Sequence, residues 1–453
     1  MANETRQLAA YIVSSTTIGD SALRQAQEAV LDWIACALAG SQDPRVRPIY
    51  DAIRPFAPDG PAWVAGFEHR TSPITAALLN GAASHVLELD DIERDAYIHP
   101  GVTAVSAAMA VADSVPTLTV DNFLRAVIMG YEVSVRVGRS VNPTHYELWH
   151  TTATAGVFGA AAAAAVALNL TEDQTVFALG NSGSVSGGLW QFNADGAMTK
   201  PYHAGMAAVH GVLAALSARE GLTGPHRILE GDQGFLRATS RDFEPAKLVE
   251  DLGRANAIES ISRKRWASCR FTHAAIDACM ELRADKWHVR DIERIDVETF
   301  AVALRVAGHT NPSTAQEAKF SITYCVALAL ATGDVGIWSF ATVPDPTIRN
   351  LVGKVHVHHN PRFDTDFPQK MAAQVTITFL DGTQKRSTVE FPAGDPEHPI
   401  AEDTLYAKVR SMLVRIIPPG AIETAIQAVQ IGTSGLYHDW ISMMQQTPQS
   451  VAG

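Results

Sequence analysis

Four segments of the chain carry polar side chains inside otherwise apolar, helix-patterned surroundings, and each offers part of an acid–base reaction. The first runs His85-Val-Leu-Glu88-Leu-Asp90-Asp91 and is followed by His99-Pro100-Gly101, so carboxylates and imidazoles flank a helix end. The second is Tyr146-Glu-Leu-Trp-His150-Thr-Thr; if it is helical, Tyr146 and His150 share one face. In the third, Asn193-Ala-Asp195-Gly-Ala-Met-Thr-Lys200-Pro201, Lys200 sits at the start of a Pro-initiated helix, whose positive end would attract a substrate carboxylate. The fourth, Arg263-Lys264-Arg265-Trp266-Ala-Ser268-Cys269-Arg270-Phe-Thr-His273, puts four cations into eight residues, a charge density suited to a di- or polycarboxylate.

Each segment alone has a plain structural alternative: a cap, a solvated basic face, a packed histidine. Cys269 and His273 at helical spacing raise a thiol nucleophile, but no third partner accompanies them. His356, His358 and His359 lie in Val355-His-Val-His-His with no adjacent cysteine or carboxylate, so an exposed strand face is preferred and no metal is expected. The sequence has no GxGxxG after a strand, no P-loop, no GxSxG and no HExxH. Dinucleotide, nucleotide and serine-hydrolase chemistry are left without an anchor.

The elements that must hold these groups are mostly helices. From Asp20 to Gly40, Asp20 can cap, Leu23, Ala26, Val30, Ile34 and Ala37 recur at helical spacing, and Gly40 stops the run. Similar periods occur at 73–87, 102–114, 120–137 and 151–168; Thr171-Glu-Asp-Gln174 reads as a capping box, and Pro201 suits the first turn of a helix closed by Gly221. Ala- and Gly-rich stretches at 156–167 and 205–218 let neighbouring helices approach closely. After about residue 265 the period changes. Ile295, Val297 and Thr299 alternate, and Val375 to Leu380, Asp381-Gly382, Thr383 to Phe391 predicts a β-hairpin, with helical patterns at 315–331 and 343–351. The expected class is mainly α: helical over 1–268, a smaller lid-like α+β domain at 269–401, and helical again over 402–453.

Composition narrows the partners. With 453 residues, 47% hydrophobic and 19% charged, two packed domains are expected. A formal charge of -12 and no basic stripe argue against nucleic acid. Thr151 to Leu170 is uncharged but filled with Ala, Thr and Gly, which predicts a buried helix rather than a membrane span. The N-terminal residues lack a secretory pattern, so a cytoplasmic location is expected, with Cys36, Cys269, Cys279 and Cys325 as packed, reduced thiols.

Read together, Asn80-Gly81, His85 to Asp91 with His99-Pro100, His150-Thr151, Lys200-Pro201-Tyr-His203-Ala-Gly205, Lys264 with Ser268-Cys269-Arg270 and His273, and Ala318-Lys-Phe-Ser321 with Tyr324 resemble the MmgE/PrpD family in order and spacing, over nearly the whole chain. The resemblance implies a large helical domain built from both chain ends, a smaller inserted α+β domain, a homodimer and an active site between the two domains, with no metal, nucleotide or other cofactor. By position, His99, His150, Lys200, Lys264 and Tyr324 resemble the family's active-site residues, and Glu88 stands where the family usually has aspartate. Asp90-Asp91 continues with Ile92-Glu93, where the family commonly has a hydroxyl residue and a histidine. Dehydration must protonate a leaving hydroxyl, so the missing donors favour a reaction that only moves a proton.

The reaction that the resemblance implies is epimerisation next to a carboxylate of a small polycarboxylate, with iminodisuccinate as its substrate, a hydro-lyase or a decarboxylating lyase as the alternative and a non-catalytic binding protein as the alternative of another class. Lys264 and Tyr146 are assigned as the proton-transfer pair, Lys264 because Arg263, Arg265 and Arg270 would make it a better base by like-charge repulsion. His99, His150 and Lys200 complete the catalytic set. Arg270, Arg265, Glu88, Asp90, Tyr324 and His203 are assigned to substrate binding.

Overall fold

The uncharged stretch after Thr151 folds into the centre of the molecule's larger unit. In the computed structural model, which describes residues 3–15, 18–284, 287–341, 343 and 346–445, helix Gly156–Ala167 is buried at every residue. Among the described residues no helix is long and apolar enough to cross a membrane. The chain divides into two units, Met1–Ile261 with Tyr406–Gly453, and Ser262–Leu405. It is mainly α, with a smaller α+β part.

In the larger unit we label α1 (Asp20–Gly40), α2 (Pro73–His85), α3 (Gly101–Ala112), α4 (Val120–Val141), α5 (Gly156–Ala167) and α6 (Thr199–Arg219). Small residues set the spacing around α5. A Cβ on Gly159 would lie 2.5 Å from Gly130 O in α4, and one on Gly211 of α6 would lie 2.4 Å from Ala160 Cβ. Such approaches exclude any side chain and explain the Ala-Gly composition. Gly40 has the same explanation: its added Cβ would meet Ala83 O of α2 at 1.9 Å, so it serves close packing rather than acting only as a stop.

Caps fix where several helices start. Ser72 Oγ accepts from Thr75 N–H ahead of Pro73, Thr119 does the same for Asn122, and Thr171 with Gln174 forms the expected capping box. Asp20 is the first helical residue after Gly19 and makes no side-chain cap; its charge acts on the helix dipole instead. The all-helical expectation misses one short strand, Asp59–Ala62, which bridges to Thr71.

The smaller unit holds a four-stranded sheet: β1 (Ile292–Thr299), β2 (Val355–His359), β3 (Ala373–Phe379) and β4 (Gln384–Val389), in the order β2-β1-β3-β4. β1 pairs parallel with β2 and antiparallel with β3, with Val297 opposite Val357 and Val375. The predicted hairpin is β3–β4, its turn closed by Gly382 N–H on Phe379 O and by Gly382 at φ +82°. Helices α7 (His273–Arg283) and α8 (Ile322–Thr332) pack on this sheet and on each other. The helix expected over 315–331 is two pieces, Ala315–Lys319 and α8, because Ser321 Oγ takes Tyr324 N–H at 3.1 Å and restarts the helix. The expected 343–351 helix lies partly outside the described residues; Pro346–Val352 is helical.

The three histidines of β2 behave as an exposed strand edge, His358 pairing with Asp296 and His359 with Asp364. All four cysteines are buried thiols.

Candidate active site

Helix α2 ends in the larger unit's polar core. His85, its last residue, is fully buried, and its Nδ1 lies 2.7 Å from Asp90 Oδ2. The backbone then reverses through Glu88, which sits in the left-handed region at φ +58°. That conformation is uncommon for a residue with a Cβ, and it points to a position held by its surroundings. Two contacts hold it. The Glu88 carboxylate meets Lys200 Nζ at 2.5 and 2.7 Å, and Leu89 O accepts from Lys408 Nζ at 2.8 Å, a lysine that is itself paired with Asp32 at 2.6 Å. Helix α6 begins at Thr199, so Lys200 lies inside its first turn rather than just before it, and the carboxylate it holds belongs to Glu88.

Asp91 closes the same segment structurally. Its carboxylate accepts from Gly101 N–H at the start of α3 and from Tyr131 Oη–H at 2.5 Å. A Cβ on Gly101 would come within 2.5 Å of that hydroxyl, which accounts for the glycine after His99-Pro100. Burial pushes Asp91 up to about 7, against the lowering effect of the Tyr131 hydrogen bond. His99 Nδ1 lies 2.9 Å from Asp90 Oδ2 and 2.8 Å from Asp91 O. Glu93 is turned away, bonded to Arg139 and Ala96 N–H, and Ile92 is buried and apolar.

A second loop brings His150. Residues Thr144–Glu147 form a 3-10 turn and His150 is an extended residue ahead of Thr151–Thr154, so Tyr146 and His150 are not on one helical face. What joins them is Trp190. The 188–190 segment is zipped to 148–150 by His150 N–H on Gly188 O and Trp190 N–H on Leu148 O. The Trp190 ring meets Tyr146 edge-on at 4.9 Å and His150 at 5.3 Å. Tyr146 also stacks on Tyr97 at 5.0 Å.

The imidazoles form a continuous cluster. His85 stands edge-on to His99 at 4.8 Å and parallel to His150 at 5.7 Å, and His150 Nδ1 is 3.3 Å from His203 Nδ1. Burial holds His150 well below the ordinary histidine range and His203 at about 4, with the neighbouring His85 and Lys200 lowering both further. Both are neutral bases at pH 7. His145, five residues before His150, is instead tied to Thr154 and Thr239 O as a loop brace.

In the smaller unit the basic cluster splits in several directions. Lys264 is fully buried, while Arg265 is exposed with its guanidinium 4.5 Å from the Trp266 ring. Arg270 is 3% exposed and committed to protein: it pairs with the Asp395 carboxylate, which also accepts from Ser262, and donates to His273 Nδ1 at 3.0 Å. Its two terminal nitrogens are thus taken by protein acceptors, while Nε is buried without a hydrogen-bond partner among the described residues. Gly394 allows the turn that brings Asp395 in, since its added Cβ would overlap Arg263 O at 1.8 Å. Tyr324 is 2% exposed, against Phe340.

The larger unit thus gathers Glu88, Asp90, His99, His150, Lys200 and His203 directly, and Tyr146 through Trp190. Lys264, Arg265, Arg270 and Tyr324 belong to the smaller unit. Sequence reasoning quoted His85 without giving it a role, and it missed Trp190 and Phe192, whose rings face His150. The aromatic pair flanking Gln191, just before the polar Asn193-to-Lys200 segment, was the available signal. His85, Asp90 and His99 are the described residues whose donor atoms lie close enough together to hold a metal ion. Both imidazoles reach one carboxylate oxygen at 2.7 and 2.9 Å. These are hydrogen-bond separations, shorter than the roughly 3.3 Å between two ligands placed tetrahedrally about 2.0–2.1 Å from one ion.

Comparison with known proteins settles the family. The MmgE/PrpD N-terminal domain model matches residues 6–248, and the C-terminal domain model matches 266–431. The chain belongs to the MmgE/PrpD family. Among curated proteins, similar ones are a cis-aconitate decarboxylase-like protein, oryM, of Aspergillus oryzae (27% identical, covering 92% of this chain and 91% of that one), the cis-aconitate decarboxylase of Aspergillus terreus (26%, 88% and 86%) and that of Mus musculus (24%, 91% and 86%). Membership of this family and these relatives make the chain an enzyme.

Proposed function

We propose that this enzyme takes a small polycarboxylate and, without metal or nucleotide, breaks and remakes a carbon–hydrogen bond next to a carboxylate, epimerising a substrate such as iminodisuccinate. One observation carries the reading: neutral imidazoles packed around His99 and His150, beside the Lys200–Glu88 pair, supply bases with little water to compete. The base takes the proton, the electron pair is held by the adjacent carboxylate and nearby cations, and a proton returns to the opposite face. Lys264 and Tyr146 are the proposed groups for the two faces, with His99 and Lys200 in reserve for the second.

Glu93 and Ile92 support this over dehydration. One is spent on Arg139 and the other is apolar, so that turn offers no donor to a leaving hydroxyl. The second reading is decarboxylation of a cis-aconitate-like substrate, favoured by the names of the relatives. Here the electron pair left by the departing carboxylate takes up one proton.

The test is incubation in heavy water with iminodisuccinate stereoisomers, cis-aconitate and methylcitrate, before and after exhaustive chelation. Deuterium at the α-carbon with interconversion of stereoisomers and no carbon dioxide is the expected result. Carbon dioxide from cis-aconitate would replace it with the second reading, and loss of activity on chelation, restored by one metal, would overturn the metal-free chemistry. The proposed homodimer is supported by exposed Tyr202 and Leu213, three turns apart on α6; a single-subunit mass in light scattering would refute it.

A further inference from the structure

Hydrogen-bond chemistry fixes two proton positions in the histidine cluster. His99 Nδ1 faces two oxygens, Asp90 Oδ2 at 2.9 Å and Asp91 O at 2.8 Å. A main-chain carbonyl can only accept, so the His99 proton is on Nδ1. His85 Nδ1 faces Asp90 Oδ2 at 2.7 Å, while its Nε2 is buried with no hydrogen-bond partner. The arrangement that leaves only a lone pair unpaired also places the His85 proton on Nδ1. One carboxylate oxygen thus accepts two N–H donors.

We propose that His85 and Asp90 form a positioning pair that sets the tautomer and ring angle of His99, so that His99 Nε2 carries the lone pair and is ready to exchange a proton with substrate wherever Tyr146 does not serve the second face. His85 acts through Asp90 and through its rings' neighbours: edge-on to His99 at 4.8 Å and parallel to His150 at 5.7 Å, it fixes both imidazoles at once. Asp90 cannot swing away, because the preceding residues are braced by Lys408 on Leu89 O and Lys200 on Glu88. Without His85, Asp90 loses the Nδ1–H donor that His85 supplies and His99 loses the wall that sets its plane. This gives Asp90 a role in orientation rather than in binding a substrate whose own carboxylates it would repel. It parallels the general logic by which a buried carboxylate holds an imidazole in one tautomer.

The inference rests on the proton-transfer reading for its catalytic consequence but not for its structural content, so the two can fail separately. Nitrogen NMR of the full-length protein labelled in its histidine nitrogens, with the His99 signals assigned by their loss in His99→Gln, reads the tautomer directly. The wild-type protein should show His99 as the Nδ1–H form. His85→Leu should release His99 into mixed tautomers and lower kcat on the order of 10²-fold with KM nearly unchanged. His85→Asn, which keeps an N–H near the Nδ1 position, should recover both. His99 found as the Nε2–H form in wild type would overturn the proposal, and that result does not depend on any variant folding. So would a folded His85→Leu with unchanged tautomer and kcat. If no polycarboxylate is turned over, the function reading fails while the wild-type spectrum still decides the positioning pair.

Discussion

Each unit of this enzyme buries a polar core containing histidine and aspartate, and the two cores balance their charges differently. In the smaller unit Arg270 meets Asp395, and His273 has both nitrogens engaged, Nδ1 accepting from Arg270 and Nε2 donating to Ser268 O at 3.3 Å. Charge answers charge, and the proton on His273 has one place to be. In the larger unit His85 and His99 share the Asp90 carboxylate, and His150 and His203, packed beside them, face each other nitrogen to nitrogen. One core is built to stay fixed; the other keeps protons that can move. Removing a residue should therefore cost stability in the first and turnover in the second.

His99→Gln should show the largest effect, a fall in kcat of about 10²- to 10⁴-fold with the melting temperature nearly unchanged. Unfolding without a selective loss of turnover would erase the distinction between the cores. Lys264→Ala and Tyr146→Phe come next. Followed by α-hydrogen exchange from each stereoisomer in heavy water, each variant should lose exchange from one isomer by about 10²-fold. Phenylalanine keeps the stack on Tyr97 and the edge contact with Trp190, so wild-type exchange in Tyr146→Phe would make that tyrosine a packing residue.

Arg270→Ala tests the other core. It removes the Arg270 partner of the buried Asp395 carboxylate, and breaking a buried pair of this kind costs roughly 3–5 kcal/mol. The expected outcome is a large drop in denaturation midpoint with KM little changed in the protein that remains folded. A strong rise in KM at unchanged stability would return Arg270 to the substrate-binding role read from its sequence neighbourhood.

What the sequence could and could not disclose follows the same division. Helix positions, caps and the β3–β4 hairpin were legible because 3.6-residue and two-residue periods, a capping box and an Asp-Gly turn are local signals. The segments around His99, His150 and Lys200 were found because apolar surroundings make polar groups conspicuous. Partners were not legible. Nothing local says that Arg270 is matched by Asp395, 125 residues on, or Lys200 by Glu88, 112 residues before. A spacing of four puts Tyr146 and His150 on one face only in a helix; the 3-10 turn Thr144–Glu147 and the extended His150 take the backbone elsewhere. Trp190 went unnoticed because an aromatic residue beside glycines reads as ordinary packing.

The smallest effect concerns Asp91, the carboxylate next to the reactive cluster that serves as a helix brace. Burial raises it from an unfolded value near 3.8 to about 7, so between these limits the folded chain binds the proton more tightly than the unfolded chain. The contribution is fully present below pH 4 and is lost as pH rises through 7, with a slope of at most about 1.4 kcal/mol per pH unit. Asn at this position cannot ionise and still reaches Tyr131 and Gly101. The difference in melting temperature, Asp91→Asn minus wild type, should therefore grow in the variant's favour from pH 4 to pH 7 and level off above. A difference that stays flat across this range would mean that Asp91 is ionised throughout, with the Tyr131 and Gly101 donors outweighing burial.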